Sequence, residues 1–170
     1  EKLHRHWVPG EESGLRQLQN FVENHLGNYP EDRDVPASSG TSRLSPHLHF
    51  GEISPRQIVN ALQPYIQLNV DGFSRAAEAW LRQLIWREFS RYVLRHFPTT
   101  SAESMDGRFE PHVWKKDEES LGRWQRGETG IAIVDAGMRQ LWETGWMHNR
   151  VRMLTASLLT KNLGIDWRAG

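Results

Sequence analysis

Residues 73–97 read FSRAAEAWLRQLIWREFSRYVLRHF, and Pro98 follows. The spacing predicts one long helix over this run, stopped by the proline. Leu81, Leu84, Ile85, Phe89, Val93 and Phe97 account for an apolar face, which predicts that this face is core. The opposite face carries Gln83, Trp86, Arg87 and Ser90 at i, i+3, i+4 and i+7, so an indole stands among hydrogen-bonding groups on one surface. A tryptophan flanked by Gln and Arg can stack on a flat ring while its neighbours read the ring's edge. Packing of the same indole beneath a neighbouring helix is the alternative.

Working outward, capped helical segments alternate with loops rich in Gly, Pro and Asp. Ser13 can cap a helix whose apolar positions are Leu15, Leu18, Phe21, Val22 and Leu26, ending at Gly27-Asn28. Residues 29–40, YPEDRDVPASSG, read as a loop. Ser54-Pro55 opens a short helix through Leu62. Residues 99–122 are irregular, with Trp114 in the middle. Thr129-Gly130 introduces a helix that ends at Thr144-Gly145, and a last helix runs from about Met147 to Leu163, buried along Val151, Leu154 and Leu158. No strand pattern is present. The fold class is therefore all-α, with residues 1–170 forming one domain.

Composition narrows the function classes. No apolar run is long enough to span a bilayer, and there is no start resembling a signal peptide. Zero cysteines exclude a disulfide framework and a thiolate metal site; the cytoplasm or nucleoid is the expected location. The 21 basic and 21 acidic residues cancel, so a nucleic-acid footprint has to come from local arrangement. Eight tryptophans are the outlier, and a core accounts for about half of them.

Three further stretches carry chemistry. Thr41-Ser42-Arg43-Leu44-Ser45-Pro46 sets three hydroxyls and a guanidinium around a turn, suited to cradling phosphate or, alternatively, to ordinary capping. Asn149 and Met153 lie at i, i+4 off the buried stripe, beside Arg150: an in-plane hydrogen bonder, a polarizable thioether and a phosphate partner, although Asn at such a place is often a cap. Asp135 and Arg139 read as a structural ion pair on a helix buried through Ile133, Val134, Met138 and Leu141. His47 and His49 lack a third ligand at matching spacing, so no metal is expected.

Taken together, NYPEDRD (28–34), GTSRLSPHLHFGEISPRQI (40–58), AWLRQLIWREFSRY (79–92) and the run from Trp124 to Gly170 resemble the photolyase/cryptochrome family along nearly the whole chain. The resemblance implies the N-terminal and central part of an all-helical domain that holds FAD in a folded form. Tyr29 and Thr41, Ser42, Arg43, Leu44 and Ser45 match contacts to the flavin phosphates; Trp80, Gln83, Arg87 and Asn149 match residues at the cofactor. Arg33, Gln83, Trp86, Arg87, Ser90, Asn149, Arg150 and Met153 match positions that meet UV-damaged DNA, with Trp86 stacking on an extruded pyrimidine dimer. Asn149, Gln83 and Trp86 are the residues at the chemistry. Trp114 and Trp167 match two members of an electron-transfer chain.

The implied reaction is light-driven repair of cyclobutane pyrimidine dimers by reduced FAD, with the flavin carrying the hard chemistry. Gln83 departs from the glutamate usual in cyclobutane-dimer photolyases and points to (6-4) photolyases or to cryptochromes, blue-light receptors with little repair. Asn149 and Met153 point back to the cyclobutane-dimer branch. A helical interaction domain without flavin is the third possibility. The family's α/β antenna domain, with its folate or deazaflavin chromophore, and its downstream flavin-binding segment are not in these residues, so the fragment alone is expected to be inactive. A monomer is expected, with no membrane partner.

Overall fold

A computed structural model describes residues 2–67, 72–109 and 112–170. Among these the regular structure is helical, with one isolated parallel bridge between Lys115 and Ile165. Among the described residues no helix is long and apolar enough to cross a membrane. The chain divides into two compact units, Trp7–Tyr92 and Glu1–His6 with Val93–Gly170.

The first unit contains α1 (Glu11–Asn24), α2 (Tyr29–Asp32), α3 (Ser45–His49), α4 (Pro55–Gln67) and most of α5 (Phe73–His96). α1 begins at Glu11, ahead of Ser13: Gly10 is its N-cap, and Glu11 and Glu12 occupy the first turn, where the helix dipole favours negative charge. Residues 29–40 are not all loop, because Tyr29–Asp32 closes a helical turn around the buried Tyr29. α4 opens with a reciprocal cap, Ser54 N–H donating to Gln57 Oε1 at 2.7 Å and Gln57 N–H donating to Ser54 Oγ at 3.2 Å. It runs past Leu62 to Gln67 with Pro64 inside it; fully buried Ile58 and Leu62 hold it against the cost of the lost proline N–H.

α5 packs on a different face from the one its hydrophobicity suggests. Ala76, Ala77, Ala79, Trp80 and Leu84 are its buried residues, joined with Leu18, Phe21, Val22, Leu26, Ile58 and Leu62 in one core. Leu81 is half-buried against that core, but Ile85, Phe89 and Phe97 are more than half exposed. Small alanines let the helix approach closely, and close approach decides the buried face more strongly than side-chain apolarity.

The second unit contains α6 (Glu118–Arg126), α7 (Ala132–Thr144), α8 (Asn149–Ser157) and a π-helical turn, Leu158–Asn162. Residues 99–122 are therefore irregular only before α6, and residues 110–111 of that stretch lie outside the described set. The core is Trp124, Val134, Met138, Met147, Val151, Leu159 and Ile165. A Cβ at Gly137 would fall 2.2 Å from Val151 Cγ1, so α7 and α8 meet where α7 has no side chain. Ile133 and Leu141 are exposed at 43% and 38%, contrary to the expected burial. From α8 into the π turn the buried positions are Val151, Thr155 and Leu159; of the expected stripe, Val151 is buried and Leu158 packs half-buried against the core, while Leu154 is exposed. The Trp124 indole donates to the Thr155 carbonyl at 2.9 Å, which draws Thr155 inward, and the helix widens into the π turn directly afterwards.

Asp135 and Arg139 do not form the expected ion pair. Asp135 accepts from Thr129 N–H, Thr129 Oγ1 and Gly130 N–H at 2.8, 2.6 and 2.9 Å, while Arg139 donates to the Gly127 carbonyl at 2.7 Å. The Thr129 hydroxyl above all, then these amides and the charge of Arg139, hold the Asp135 carboxyl below its ordinary value against the opposing effect of burial.

Candidate functional site

Within the first unit, α2 and α5 bring several of the singled-out residues together. Arg33 Nη2 donates to Gln83 Oε1 at 3.4 Å, its guanidinium lies 5.4 Å from the Tyr29 ring centroid, and Asp34 stands 3.4 Å from its Nε. Gln83 Nε2 donates to the Ala79 carbonyl at 3.2 Å, so its amide orientation is fixed at both ends. Burial raises the Tyr29 hydroxyl above its ordinary pKa, the nearby Arg33 opposing and Asp34 adding to the rise. One turn further on, Trp86 is 62% exposed, with Phe89 set edge-to-face at 5.7 Å. It is not packed beneath a helix of its unit.

Two neighbours of Trp86 are committed to the scaffold. Arg87 Nη2 donates to the Leu48 carbonyl at 3.1 Å and Nη1 meets Glu88, which ties α5 to α3. Ser90 Oγ donates back to the Trp86 carbonyl at 2.9 Å. Trp80, 5% exposed, lies against Phe21 with ring centroids 4.5 Å apart and belongs to the core.

The Thr41–Ser45 turn is held by what flanks it. Gly40 approaches α2 so closely that a Cβ there would meet Asp32 Cβ at 2.3 Å, and Gln17 Nε2 donates to the Ser42 carbonyl at 3.0 Å. Leu44 is buried as an anchor while Thr41 and Ser42 remain half-exposed. Arg43 has φ +52, a left-handed conformation uncommon outside glycine, and Leu44 follows in the right-handed region. Alternating hands turn successive backbone N–H groups to one side, the arrangement of anion-binding nests. Paired with the hydroxyls of Thr41 and Ser42, this donor set fits a phosphate-bearing cofactor such as FAD.

A tether with no periodic signal in the sequence supports the same turn. His47, for which no metal role is expected, is 5% exposed; its Nδ1 lies 2.6 Å from Glu52 Oε2, and Glu52 Oε1 accepts from Gly10 N–H at 2.8 Å. The Gly10 N–H first, and His47 second, hold the Glu52 carboxyl below its ordinary value.

In the second unit, Asn149 Nδ2 and Arg150 Nη1 both point to Met153 Sδ, at 3.9 and 3.6 Å. The N-cap of α8 is His148, whose Nδ1 accepts from Arg150 N–H at 3.1 Å, so Asn149 is released from capping and stands exposed on the first turn. Trp114 and Trp167 line one open cleft of about 620 Å³ with Ser104, Phe109, His112, Thr160, Lys161 and Arg168. The core accounts for fewer tryptophans than expected, Trp80 and Trp124 alone being buried.

The first unit thus presents an exposed indole beside fixed Gln83 and Arg87 side chains, and a hydroxyl-rich turn at Thr41–Ser45. The family described as the FAD binding domain of DNA photolyase matches residues 80–170, and the chain belongs to that family. It is 46% identical over 164 residues to a deoxyribodipyrimidine photo-lyase of Agrobacterium fabrum, covering 96% of this chain and 34% of the relative. It is 48% identical to that of Alkalihalophilus pseudofirmus, with 95% and 33% covered. Among solved structures, a bacterial class III photolyase from Agrobacterium tumefaciens superposes with TM-score 0.89 at 44% identity, covering 98% of this chain and 34% of that one. The cryptochrome of Synechocystis sp. PCC6803 gives 0.87 at 34% identity, covering 95% and 34%. The chain thus spans about a third of the length of these relatives.

Proposed function

We propose that this chain is the part of a photolyase that grips FAD and meets the lesion, and that the whole protein repairs cyclobutane pyrimidine dimers in DNA under light. The observation that carries this reading is Trp86, exposed at 62% beside the fixed amide of Gln83. Burial is the default for a tryptophan, and an exposed indole flanked by hydrogen-bonding groups suits a base turned out of the duplex.

In this reading the Thr41–Ser45 turn and Tyr29 hold the FAD phosphates. In the first unit Gln83 offers hydrogen bonds to the lesion and flavin edges, and Trp80 and Arg87 support the cofactor from the core side; in the second unit Asn149 offers its amide to the flavin. Arg33 and Ser90 in the first unit, and Arg150 and Met153 in the second, each serve as contacts for damaged DNA. When bound, reduced FAD supplies the electron that opens the cyclobutane ring and recovers it afterwards; the side chains bind, orient and exclude water. Trp114 and Trp167 carry an electron from the surface toward the oxidised cofactor. A second reading, a blue-light receptor with little repair, is favoured by the neutral amide of Gln83 and by the similarity to a cryptochrome.

Irradiation of the reduced full chain with dimer-containing DNA separates the two. Loss of dimers under blue light supports repair, while flavin photochemistry with the dimers intact supports the receptor.

A further inference from the structure

The chain has four methionines, in two kinds of surroundings. Met138 and Met147 are core residues, 7% and 3% exposed, and Met147 Sδ accepts from the Thr155 hydroxyl at 3.7 Å. Met105 and Met153 are open to solvent at 65% and 55%, Met105 on irregular backbone and Met153 on α8. Two N–H donors face the Met153 sulfur, Asn149 Nδ2 at 3.9 Å and Arg150 Nη1 at 3.6 Å, from four and three positions earlier on the same helix face. A thioether is a weak acceptor, so these contacts hold neither side chain firmly. A stronger acceptor at the same place receives a charge-assisted hydrogen bond from the guanidinium and a neutral one from the amide.

We propose that Met153 is a site of reversible oxidation by hydrogen peroxide, and that its sulfoxide captures the side chains of Asn149 and Arg150. The sulfur gives a lone pair to one peroxide oxygen and the O–O bond breaks. The proton of the transferred hydroxyl passes to the departing hydroxide, which leaves as water; the sulfur has lost two electrons and the peroxide has gained them. Negative charge develops on the departing oxygen as the bond breaks, and the Arg150 guanidinium is placed to stabilise it. The product is polar and chiral where the thioether was soft and apolar. Its oxygen, set between Asn149 Nδ2 and Arg150 Nη1, comes within ordinary hydrogen-bond distance of both. The consequence for binding rests on the proposed roles of these two residues: an amide and a guanidinium held by the sulfoxide are withdrawn from flavin and lesion. Two electrons from a thiol, delivered by a methionine sulfoxide reductase, remove the oxygen as water and release them.

The experiment treats the whole, flavin-loaded protein with hydrogen peroxide and follows each methionine by peptide mass. Met153 converts well ahead of Met138 and Met147. Arg150→Ala keeps the backbone N–H that His148 caps and slows conversion of Met153 by about fivefold relative to Met105, as expected for losing one charge-assisted contact to the reacting oxygen. Affinity of the oxidised protein for dimer-containing DNA falls by about tenfold, and a methionine sulfoxide reductase with its thiol restores it. In Met153→Leu the affinity, whatever its starting value, does not change on peroxide treatment.

Conversion of Met153 no faster than that of the two core methionines, or a rate indifferent to Arg150→Ala, overturns the modification site. Full conversion with unchanged lesion affinity, in a protein whose affinity Arg150→Ala does weaken, overturns the capture of the two side chains. An affinity that Arg150→Ala leaves unchanged overturns the assigned DNA contact instead, and the mass measurement still decides the modification site.

Discussion

Replacement of Trp86 by alanine tests the lesion-binding face most directly. The indole is 62% exposed, and its ring contact among the described residues is the edge-to-face pair with Phe89. Truncation therefore costs the fold little beyond the roughly 0.5–1.5 kcal/mol of such a pair, and alanine at an exposed helical position returns part of that through its helix propensity. A base stacked on the ring contributes about 1–3 kcal/mol, so affinity for dimer-containing DNA falls by roughly 5- to 150-fold. Equilibrium binding to a dimer-containing duplex and to its undamaged counterpart, at one fixed salt concentration, separates stacking from backbone contacts. The second are sequence-independent and salt-sensitive. Trp86→Phe keeps a ring face and recovers part of the loss. Flavin content and thermal stability stay close to the parent. Unchanged lesion affinity refutes the stacking role, and equal weakening on the two duplexes shows that the indole serves general DNA contact instead.

Trp114→Phe slows photoreduction of the oxidised flavin, followed by its absorbance under blue light, and equal rates exclude Trp114 from the electron path. Gly137→Ala forces a methyl to within 2.2 Å of Val151 Cγ1 and destabilises the second unit by about 1–3 kcal/mol; denaturant unfolding checks this, and Val151→Ala in the same chain restores most of the loss. Asp135 has a carboxyl held below its ordinary value in the folded state, so the unfolded chain binds its proton at higher pH than the folded one. Stability from Asp135 is therefore present at neutral pH and declines as the pH falls below the ordinary carboxylate value. Unfolding midpoints measured from neutral to acid show a shallower decline for Asp135→Asn, and an identical slope removes Asp135 from the acid limb. Arg87→Lys loses the long reach to the Leu48 carbonyl and loosens α3 from α5, read as reduced flavin retention on dilution.

Much of this protein is legible from local sequence. Pro98 after a helical run, the Ser54-Pro55 opening, Gly145 after α7 and the hydroxyl cluster at Thr41–Ser45 each act over a few residues, where backbone sterics and capping hydrogen bonds decide the outcome. The residue types of the candidate site follow in the same way, since Gln83, Trp86 and Ser90 share a helix face by spacing alone.

Which face of a helix is buried was decided by tertiary packing. On α5 the alanines at 76, 77 and 79 admit close approach, and Ile85, Phe89 and Phe97 are left exposed although their apolarity predicted burial. On α8 the indole of Trp124 reaches a carbonyl 31 positions away, turns Thr155 inward, and leaves Leu154 exposed. The pairing of Asp135 with Thr129 and Gly130, the tether from His47 through Glu52 to Gly10, and the meeting of Trp114 and Trp167 at one cleft join groups far apart in the chain or on irregular backbone. Local propensity carries no information about such contacts. They form when the chain has closed on itself and buried polar groups must find the partners that the fold brings near.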